Sequence, residues 1–470
     1  MEKIQQWIET AAAQLRCRKA VPGVKSELES HLYEQYNAFL EQGCTAGEAQ
    51  RKAVESMGDP VLAGGALDCI HRPRPAWGPF CAAALLLMMG GILRWWQSIP
   101  LAADGTLLWH ESSWQTLFVA EISILVLALV HFCMDISLLS RWAWQIYLGL
   151  LAFSGCGFFL GNTIINGRRY CALPLIGLFG GFEFALLFAP VYAAVVYRQR
   201  GRGWRGFYIC CAALLPGLVL CLYVPQLAAA LLLAITGLVI GVLCCRNDWF
   251  CIGKRRSLRA LFFVVLGMLA VPLVVLLRGF GAGLPGILAR IISAFRTGDP
   301  AGAGYWQNGL RRMWDGMRWF SPGDPALLLS EQTGLLRVEE FVGQGASSLC
   351  ADSLPALLGW RLGAFWAFAV IAAITGGMLW LWHTANRIRS SIGRMCAMAV
   401  CTMLSGGGIL YLCGSFGWYS LASILPFFGS GVDMIVQAAV IGLLLSAFRL
   451  DMVLHKPSAA PRRAPDAAQI

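Results

Sequence analysis

The sequence predicts an all-α, polytopic membrane protein with about ten transmembrane helices and a small N-terminal cytoplasmic helical domain. Of the 470 residues, 57% are hydrophobic and only 13% are charged, which is too apolar for a soluble domain. Runs of about 17 to 25 apolar residues, each long enough to cross roughly 30 Å of hydrocarbon, recur along the chain. The basic residues gather on alternate connections between these runs, as is typical of the cytoplasmic side of multi-pass proteins.

Residues 1–75 have the pattern of a separate helical domain. Ile4, Trp7 and Ile8 keep helical spacing, and Leu28 and Leu32 lie on a second stripe. Three or four short helices are therefore expected before the first membrane span.

Capping signals mark the later helices of this domain. Thr45-Ala46-Gly47-Glu48 is a capping-box pattern, in which the first and last side chains each satisfy a backbone N–H group at the helix start. Gly58 suits the end of that helix, and Asp59-Pro60 provides a cap and a first-position proline for the next one.

Residues 76–450 are predicted to form the ten-span membrane domain. The stretch Phe207–Cys245 is too long for one crossing and has Val224-Pro225-Gln226 at its middle, so it is split into a hairpin, because proline disfavours helix interiors. The predicted spans are Trp77–Leu93, Thr116–Cys133, Trp142–Leu160, Leu173–Tyr197, Phe207–Tyr223, Leu227–Cys245, Ala260–Leu277, Leu362–Trp382, Met395–Leu412 and Val432–Phe448.

The net charge of +11 is distributed as the positive-inside rule requires, which argues against a nucleic-acid-binding protein. With the N-terminus inside, ten spans place the basic clusters on the cytoplasmic face. Residues 279–359 then form a large external loop, and residues 451–470 form a disordered cytoplasmic tail. Arg168 and Arg169 are an exception, since they fall in a short external connection.

The 17 cysteines have no paired spacing typical of a zinc site or a disulfide framework. No metal-binding site is predicted from the spacing of metal-ligating residues.

The N-terminal motifs resemble a known appendage. Leu15–Ala20, Glu27–Leu32, Glu48-Ala49 and Gly58-Asp59-Pro60 are similar to the permease prefix domain that precedes transporters and other membrane proteins of Gram-positive bacteria. The resemblance implies a cytoplasmic domain and no particular chemistry.

Short motifs follow one another in a fixed order through the membrane region. They are Asn166-Gly167-Arg168-Arg169-Tyr170, Glu183, Val224–Ala230, Asp299-Pro300, Gly304–Gln307, Leu425-Pro426-Phe427, Gly429-Ser430-Gly431 and Gly442–Ser446. In this order they resemble the FtsW/RodA/SpoVE family of shape, elongation, division and sporulation glycosyltransferases. That family has ten spans, with a large external loop between the seventh and the eighth.

The resemblance implies a peptidoglycan glycosyltransferase that polymerises lipid II. Asp352, late in the loop, matches the family's catalytic aspartate and would act as the general base. The residues expected to contact substrate are Arg168, Arg169, Glu183, Tyr305 and Gln307. Arginines suit the leaving diphosphate, and the resemblance leaves a divalent metal cofactor open.

The implied surroundings are a bacterial cell membrane, with both termini in the cytoplasm. The implied partners are an undecaprenyl diphosphate-linked precursor, a transpeptidase of the penicillin-binding class and membrane lipids, with no nucleic acid. A flippase or transporter of lipid-linked precursors, and a non-catalytic scaffold of the cell-wall machinery, stay open as alternatives.

Each candidate residue also has a structural interpretation. Asp352 could cap the eighth span or a short interfacial helix, the two arginines could contact lipid headgroups, and Glu183 could be a buried structural acid. The sequence also departs from the family. Leu186 replaces a lysine, Gln226 replaces an aspartate, and Trp360-Arg361 replaces an acidic pair.

Overall fold

A computed structural model describes residues 2–16, 21–71, 76–97, 112–161, 163–165, 168–174, 176–277, 305–322, 353–418, 423–429 and 431–454. The chain divides into two compact units, one comprising Met1–Ala76 with Phe448–Ile470 and the other comprising Trp77–Ala447. Both consist mainly of α-helices, so the predicted all-α class is confirmed.

The N-terminal unit contains four helices, α1 (Glu2–Ala13), α2 (Val21–Glu41), α3 (Ala46–Met57) and α4 (Pro60–His71). Its core is formed by the two predicted apolar stripes, from which Ile4, Trp7, Leu28 and Leu32 are all buried. The indole N–H of Trp7 donates to the carbonyl oxygen of Gly58 at 2.9 Å, which ties α1 to the end of α3.

The predicted capping box at α3 is confirmed. The backbone N–H of Glu48 donates to Oγ1 of Thr45 at 3.4 Å, and the backbone N–H of Thr45 donates to the Glu48 carboxylate at 3.1 Å. Hydrogen bonds from the side chain and then the backbone of Thr45 hold the pKa of Glu48 below its usual value. Gly58 ends the helix at φ 72°, a conformation that favours glycine.

Neighbouring glycines of α4 provide a matched stability test. A Cβ at Gly64 would collide with the carbonyl oxygen of Ala11 and lie 2.8 Å from Cγ of Gln14, whereas one at Gly65 meets nothing within 4 Å. We expect Gly64→Ala to destabilise the unit by about 1–2 kcal/mol through overpacking. Gly65→Ala should stabilise it by about 0.5–1 kcal/mol through helix propensity.

Hydrogen exchange of α1–α4 peptides in the full-length protein measures both effects. Equal protection in the two variants would contradict the close approach of α1 and α4.

The larger unit contains the remaining helices of the described residues. They are α5 (Trp77–Gln97), α6 (Ser112–Cys133), the short α7 (Ile136–Arg141), α8 (Ala143–Leu160), α9 (Gly181–Arg198), α10 (Gly203–Tyr223), α11 (Leu227–Arg246), α12 (Lys254–Leu277), α13 (Tyr305–Asp315), α14 (Leu354–Leu362), α15 (Ala364–Asn386), α16 (Ser391–Ser415) and α17 (Val432–Leu454), the last of which continues into the segment grouped with the N-terminal unit. The predicted hairpin is present, because α10 ends at Tyr223 and α11 begins at Leu227.

Within the described residues, nine helices are long and apolar enough to cross a membrane. They are α5, α6, α8, α9, α10, α11, α15, α16 and α17. The predicted seventh span corresponds to α12, which has 24 residues but is not among the nine. The chain is therefore a multi-pass membrane protein.

The fourth predicted span begins too early. Its first residue, Leu173, is the last residue of strand β2 (Arg168–Leu173). Strand β3 (Gly177–Phe179) follows, and the helix starts only at Gly181. With β1 (Thr163–Ile165) they make an antiparallel sheet in the order β1-β2-β3. Hydropathy could not distinguish the apolar strand residues from a span, whereas the short turn between Leu173 and Gly177 allows β2 and β3 to pair.

Contacts between distant segments show which connections share an end of the bundle. Nη1 of Arg198 donates to the carbonyl oxygen of Arg141 at 3.1 Å, and the backbone N–H of Gly201 donates to that of Trp249 at 2.8 Å. These segments belong to basic connections, and together they form what we call the basic end. At the opposite end, the β2–β3 turn lies against the start of α17, since a Cβ at Gly431 would be 3.2 Å from the carbonyl oxygen of Ile176.

Candidate functional site

The two candidate arginines lie on β2, directly between α8 and α9. Adjacent strand residues point to opposite faces of a sheet, so Arg168 and Arg169 cannot contact the same group from one face. Arg168 pairs with Ile165 across the β1–β2 ladder, and both arginine side chains are partly exposed.

Arg169 is held by the end of α10. Its Nη1 donates to the hydroxyl of Tyr223 at 2.8 Å, and its guanidinium carbon lies 4.8 Å from the centre of the same ring. A hydrogen bond and a cation–π contact to one residue fix the direction of the guanidinium. The aromatic partner of Arg169 was not predicted from the sequence.

A double-mutant cycle tests this pairing. Arg169→Gln and Tyr223→Leu should couple by roughly 1–2 kcal/mol in the free energy of unfolding in detergent, because each variant removes the same contact. Arg168→Gln combined with Tyr223→Leu is the control, and its effects should add. Equal coupling energies in the two cycles would contradict a specific contact between Arg169 and Tyr223.

Three polar side chains converge on the backbone of Gly180, at the start of α9. A Cβ placed on this glycine would lie 3.0 Å from Cε1 of Tyr170, 3.1 Å from Nε2 of Gln226 and 3.1 Å from Oε2 of Glu183. The missing side chain therefore leaves room for them to meet. We call Arg169, Tyr170, Glu183, Tyr223 and Gln226 the β2–α9 polar cluster.

Glu183 reaches back to the beginning of its own helix. Its carboxylate accepts the backbone N–H of Gly180 at 2.9 Å, in the first turn, where the helix dipole favours negative charge. One turn later, Leu186 is fully buried and offers no positive partner. The acid is thus satisfied by backbone groups rather than by a side-chain cation in the same helix.

Gln226 is the polar residue at the start of α11. It is buried, and its Oε1 has no hydrogen-bond partner within the described ranges. Such an acceptor is costly to bury without a donor, so it is available to a bound hydroxyl or amide group. The sequence motif containing Gln226 was recognised, but its proximity to Glu183 follows only from the fold.

The helices of the predicted loop pack on one another. Leu310 and Met313 of α13 form a small core with Leu357 and Trp360 of α14. Trp314 Nε1 also donates to the carbonyl oxygen of Ser415 at 2.8 Å, which fixes α13 to the end of α16.

The remaining predicted site residues lie in or beside these helices. Gln307 is fully buried within α13, and Tyr305 begins that helix, although its side chain lies outside the described residues. Asp352 also lies outside the described residues. The next residue, Ser353, is the N-cap of α14, and the N–H of Leu354 donates to the hydroxyl of Tyr411 at 2.9 Å.

A second polar arrangement surrounds the Leu425-Pro426-Phe427 motif. Oε1 of Gln437 accepts the backbone N–H of Phe427 at 2.7 Å, and its Nε2 donates to the carbonyl oxygen of Leu425 at 3.1 Å and to Asp433 at 3.0 Å. Nε of Arg94 donates to the carbonyl oxygen of Phe428 at 2.8 Å. This motif therefore connects α5 to α17, and neither Arg94 nor Gln437 was predicted to take part.

No group of three or more His, Cys, Asp or Glu side chains that could hold a metal ion occurs among the residues that the structure describes. The β2–α9 polar cluster contains instead a guanidinium, two phenols, a carboxylate and an amide. Arg169 contacts Tyr223, whereas Tyr170, Glu183 and Gln226 meet at Gly180. They can bind anions and donate to or accept from hydroxyl groups.

No family model and no curated protein matches the sequence. Solved structures do resemble the fold. One is a chain of a peptidoglycan synthase complex described for its coordination of polymerization and crosslinking, with a TM-score of 0.58 and 18% identity, covering 80% of this chain and 98% of that one.

The rod shape determining protein RodA of Thermus thermophilus, as wild type and as a point variant, gives a TM-score of 0.50 at 16% identity, covering 80% of this chain and 97% of RodA. The resemblance to the FtsW/RodA/SpoVE family is thus confirmed at the level of fold.

Proposed function

We propose that this chain is a peptidoglycan glycosyltransferase that polymerises lipid II during cell-wall synthesis in elongation, division or sporulation. The observation that carries the proposal is its fold, shared over 80% of the chain with a component of a peptidoglycan synthase complex. The ordered family motifs add support, because they connect this fold to the same chemistry.

The reaction needs a base and a means of stabilising the leaving group. A sugar hydroxyl of one lipid II molecule forms a bond to the anomeric carbon of another, and the bond from that carbon to the lipid diphosphate breaks. Asp352 is assigned as the base that takes the hydroxyl proton. Arg168 and Arg169 are both proposed to stabilise the departing diphosphate, since guanidinium groups bind phosphates through paired hydrogen bonds. Because the two side chains point to opposite faces of β2, each would have to contact it separately.

The β2–α9 polar cluster is assigned to substrate binding. Gln226 offers an acceptor without a partner and Tyr170 a phenol, while the position of Arg169 is fixed by Tyr223. Hydroxyl and amide groups of a glycan with a peptide stem match such a mixture of donors and acceptors. Tyr305 and Gln307 remain proposed contacts from the loop.

The proposed setting is a bacterial cell membrane, with both termini and the domain of residues 1–75 in the cytoplasm. Residues 279–359 would then be external and meet the precursor after its translocation. A transpeptidase of the penicillin-binding class is the proposed partner. The similarity to a complex that coordinates polymerization with crosslinking supports this pairing.

A non-catalytic scaffold is the second candidate. It is favoured by two replacements in the polar cluster and its helix, where a neutral Gln226 and a buried Leu186 stand in place of the family's charged residues. A half-buried carboxylate that accepts from the backbone at the start of its own helix, as Glu183 does, also serves to cap a helix.

Labelled lipid II supplied to the purified full-length protein, with its transpeptidase partner, tests these functions. Glycan chains longer than a disaccharide unit are the expected product. Reconstituted vesicles provide a second measurement, in which lipid-linked precursor that crosses the bilayer without polymerising would support a flippase. Absence of both activities, from protein that still binds the transpeptidase, would support the scaffold.

A further inference from the structure

A cavity of about 190 Å³ lies between α9, α10, α11 and α12, in the half of the bundle nearest the basic end. Phe250, in the connection between α11 and α12, lines it, as does Phe207 in the first turn and a half of α10. The cavity is therefore separated along the helices from the β2–α9 polar cluster, which lies at the opposite ends of α9, α10 and α11.

The cavity lining suits a hydrocarbon guest. It is formed by apolar side chains and the thiols of Cys210, Cys211 and Cys244, with no charged residue. The hydroxyl of Tyr192 is the exception, and it donates to the carbonyl oxygen of Cys210 at 3.2 Å. An apolar cavity of roughly 150 Å³ already accommodates a guest the size of benzene, so this one is large enough for part of an alkyl chain.

The cavity borders the surface that faces lipid. Two of its lining residues on α11, Ile235 and Leu238, are 40% and 39% exposed. On a membrane-spanning helix such exposed apolar side chains contact hydrocarbon rather than water. An acyl chain can therefore enter sideways from the bilayer, without passing through a polar region.

Exposed basic residues lie on the same faces of these helices as the cavity, closer to the basic end. Arg246 follows Ile235 by eleven residues on α11, and Lys254 precedes Leu261 by seven residues on α12, so each lies close to the face that lines the cavity. Trp204 is exposed and precedes Cys211 by seven residues on α10, a position suited to an aromatic anchor at the interface.

We propose that this cavity binds an anionic phospholipid, with one acyl chain between α10, α11 and α12 and the phosphate beside Arg246 and Lys254. Basic residues next to clefts between membrane helices recognise anionic headgroups in this way. The site would hold a lipid of the leaflet at the basic end. It is separate from the proposed polymerase site, and its test does not depend on catalysis.

Native mass spectrometry of the full-length protein in detergent, titrated with dioleoyl phosphatidylglycerol or dioleoyl phosphatidylcholine, measures the binding. We expect tighter binding of phosphatidylglycerol. Arg246→Gln with Lys254→Gln should weaken it by roughly fivefold per residue, about 25-fold for the pair, and leave phosphatidylcholine unchanged. Arg387→Gln with Arg394→Gln is the control, because both arginines are exposed elsewhere, one at the end of α15 and the other in the first turn of α16.

A phosphatidylglycerol with a photoreactive group near the end of one acyl chain tests the cavity itself. Cross-links should map to residues 207–214, 234–244 and 261–265. Ala234→Phe, which fills the cavity, should abolish them, whereas Ala212→Phe, on an exposed face of α10 outside the cavity, should not. Val265→Phe fills the cavity from α12 and replaces Ala234→Phe if that variant does not fold.

Three results would overturn the proposal. One is cross-linking spread evenly over the lipid-facing helices. Another is cross-linking that persists in both filled variants. The third is equal affinity for the two headgroups, which would identify ordinary lipid contact with the surface of the bundle.

Discussion

Replacement of Asp352 by alanine is expected to slow glycan-chain formation from lipid II by at least about 100-fold, since a positioned general base contributes roughly 10²–10⁴-fold. Without the carboxylate, the attacking sugar hydroxyl keeps its proton and remains a poor nucleophile. Binding of lipid II should change little, because the base acts on the reacting proton and is not assigned to hold the diphosphate. The measurement is the rate of polymer formation at saturating lipid II.

Asp352→Asn separates the base from a structural role. Asparagine is also a good helix cap, so it would preserve function if residue 352 only caps a helix. As a general base it is inactive, and we expect it to fail as alanine does. The N-cap of α14 is Ser353, whose side chain makes no capping hydrogen bond, so the asparagine variant tests whether residue 352 caps this helix.

Asp315→Ala is the matched control for Asp352→Ala. It removes an exposed carboxylate at the end of α13, in the same predicted loop. Its activity should stay close to that of the wild type. Normal polymerisation by both Asp352 variants would remove the proposed base and leave the reaction without an assigned proton acceptor.

Gln437→Leu is expected to destabilise the membrane domain by roughly 3–5 kcal/mol, because each buried backbone group that loses its partner costs about 1–3 kcal/mol. The amide serves the N–H of Phe427 and the carbonyl oxygen of Leu425 at the same time, and it contacts Asp433. Phe427 is fully buried at φ 65°, a backbone conformation that non-glycine residues rarely adopt. The Gln437 amide helps to hold it there.

Gln145→Leu makes the same chemical change at an exposed position in the first turn of α8, within a predicted span. Leucine is favourable in hydrocarbon, so this control should be neutral or stabilising. Unfolding in mixed detergent micelles, followed by circular dichroism, compares the two variants. Similar stability would mean that the turn at Phe427 holds its conformation without the glutamine.

Sequence patterns were most informative where one physical property repeats along the chain. Apolar length and alternate basic connections identified the spans, and the proline in Val224-Pro225-Gln226 located the hairpin between α10 and α11. Local rules also succeeded at Thr45, Glu48 and Gly58, because capping involves residues only a few positions apart.

Hydropathy gave the wrong starting residue for the fourth span. Leu173 and Phe179 are as apolar as helix residues, so hydropathy extended the span over the last residue of β2 and all of β3. Pairing of β3 with β2 decided the local structure there, through hydrogen bonds that a window of hydropathy does not detect.

By itself, the sequence determined the all-α multi-pass class, the two regions of the chain and the candidates Arg169 and Glu183. Only the tertiary structure placed Glu183 beside Tyr170 and Gln226, and Arg169 on Tyr223. It also revealed the apolar cavity beside the basic end. Hydropathy, charge and capping depend on neighbouring residues, whereas these contacts join side chains brought together when separate helices pack.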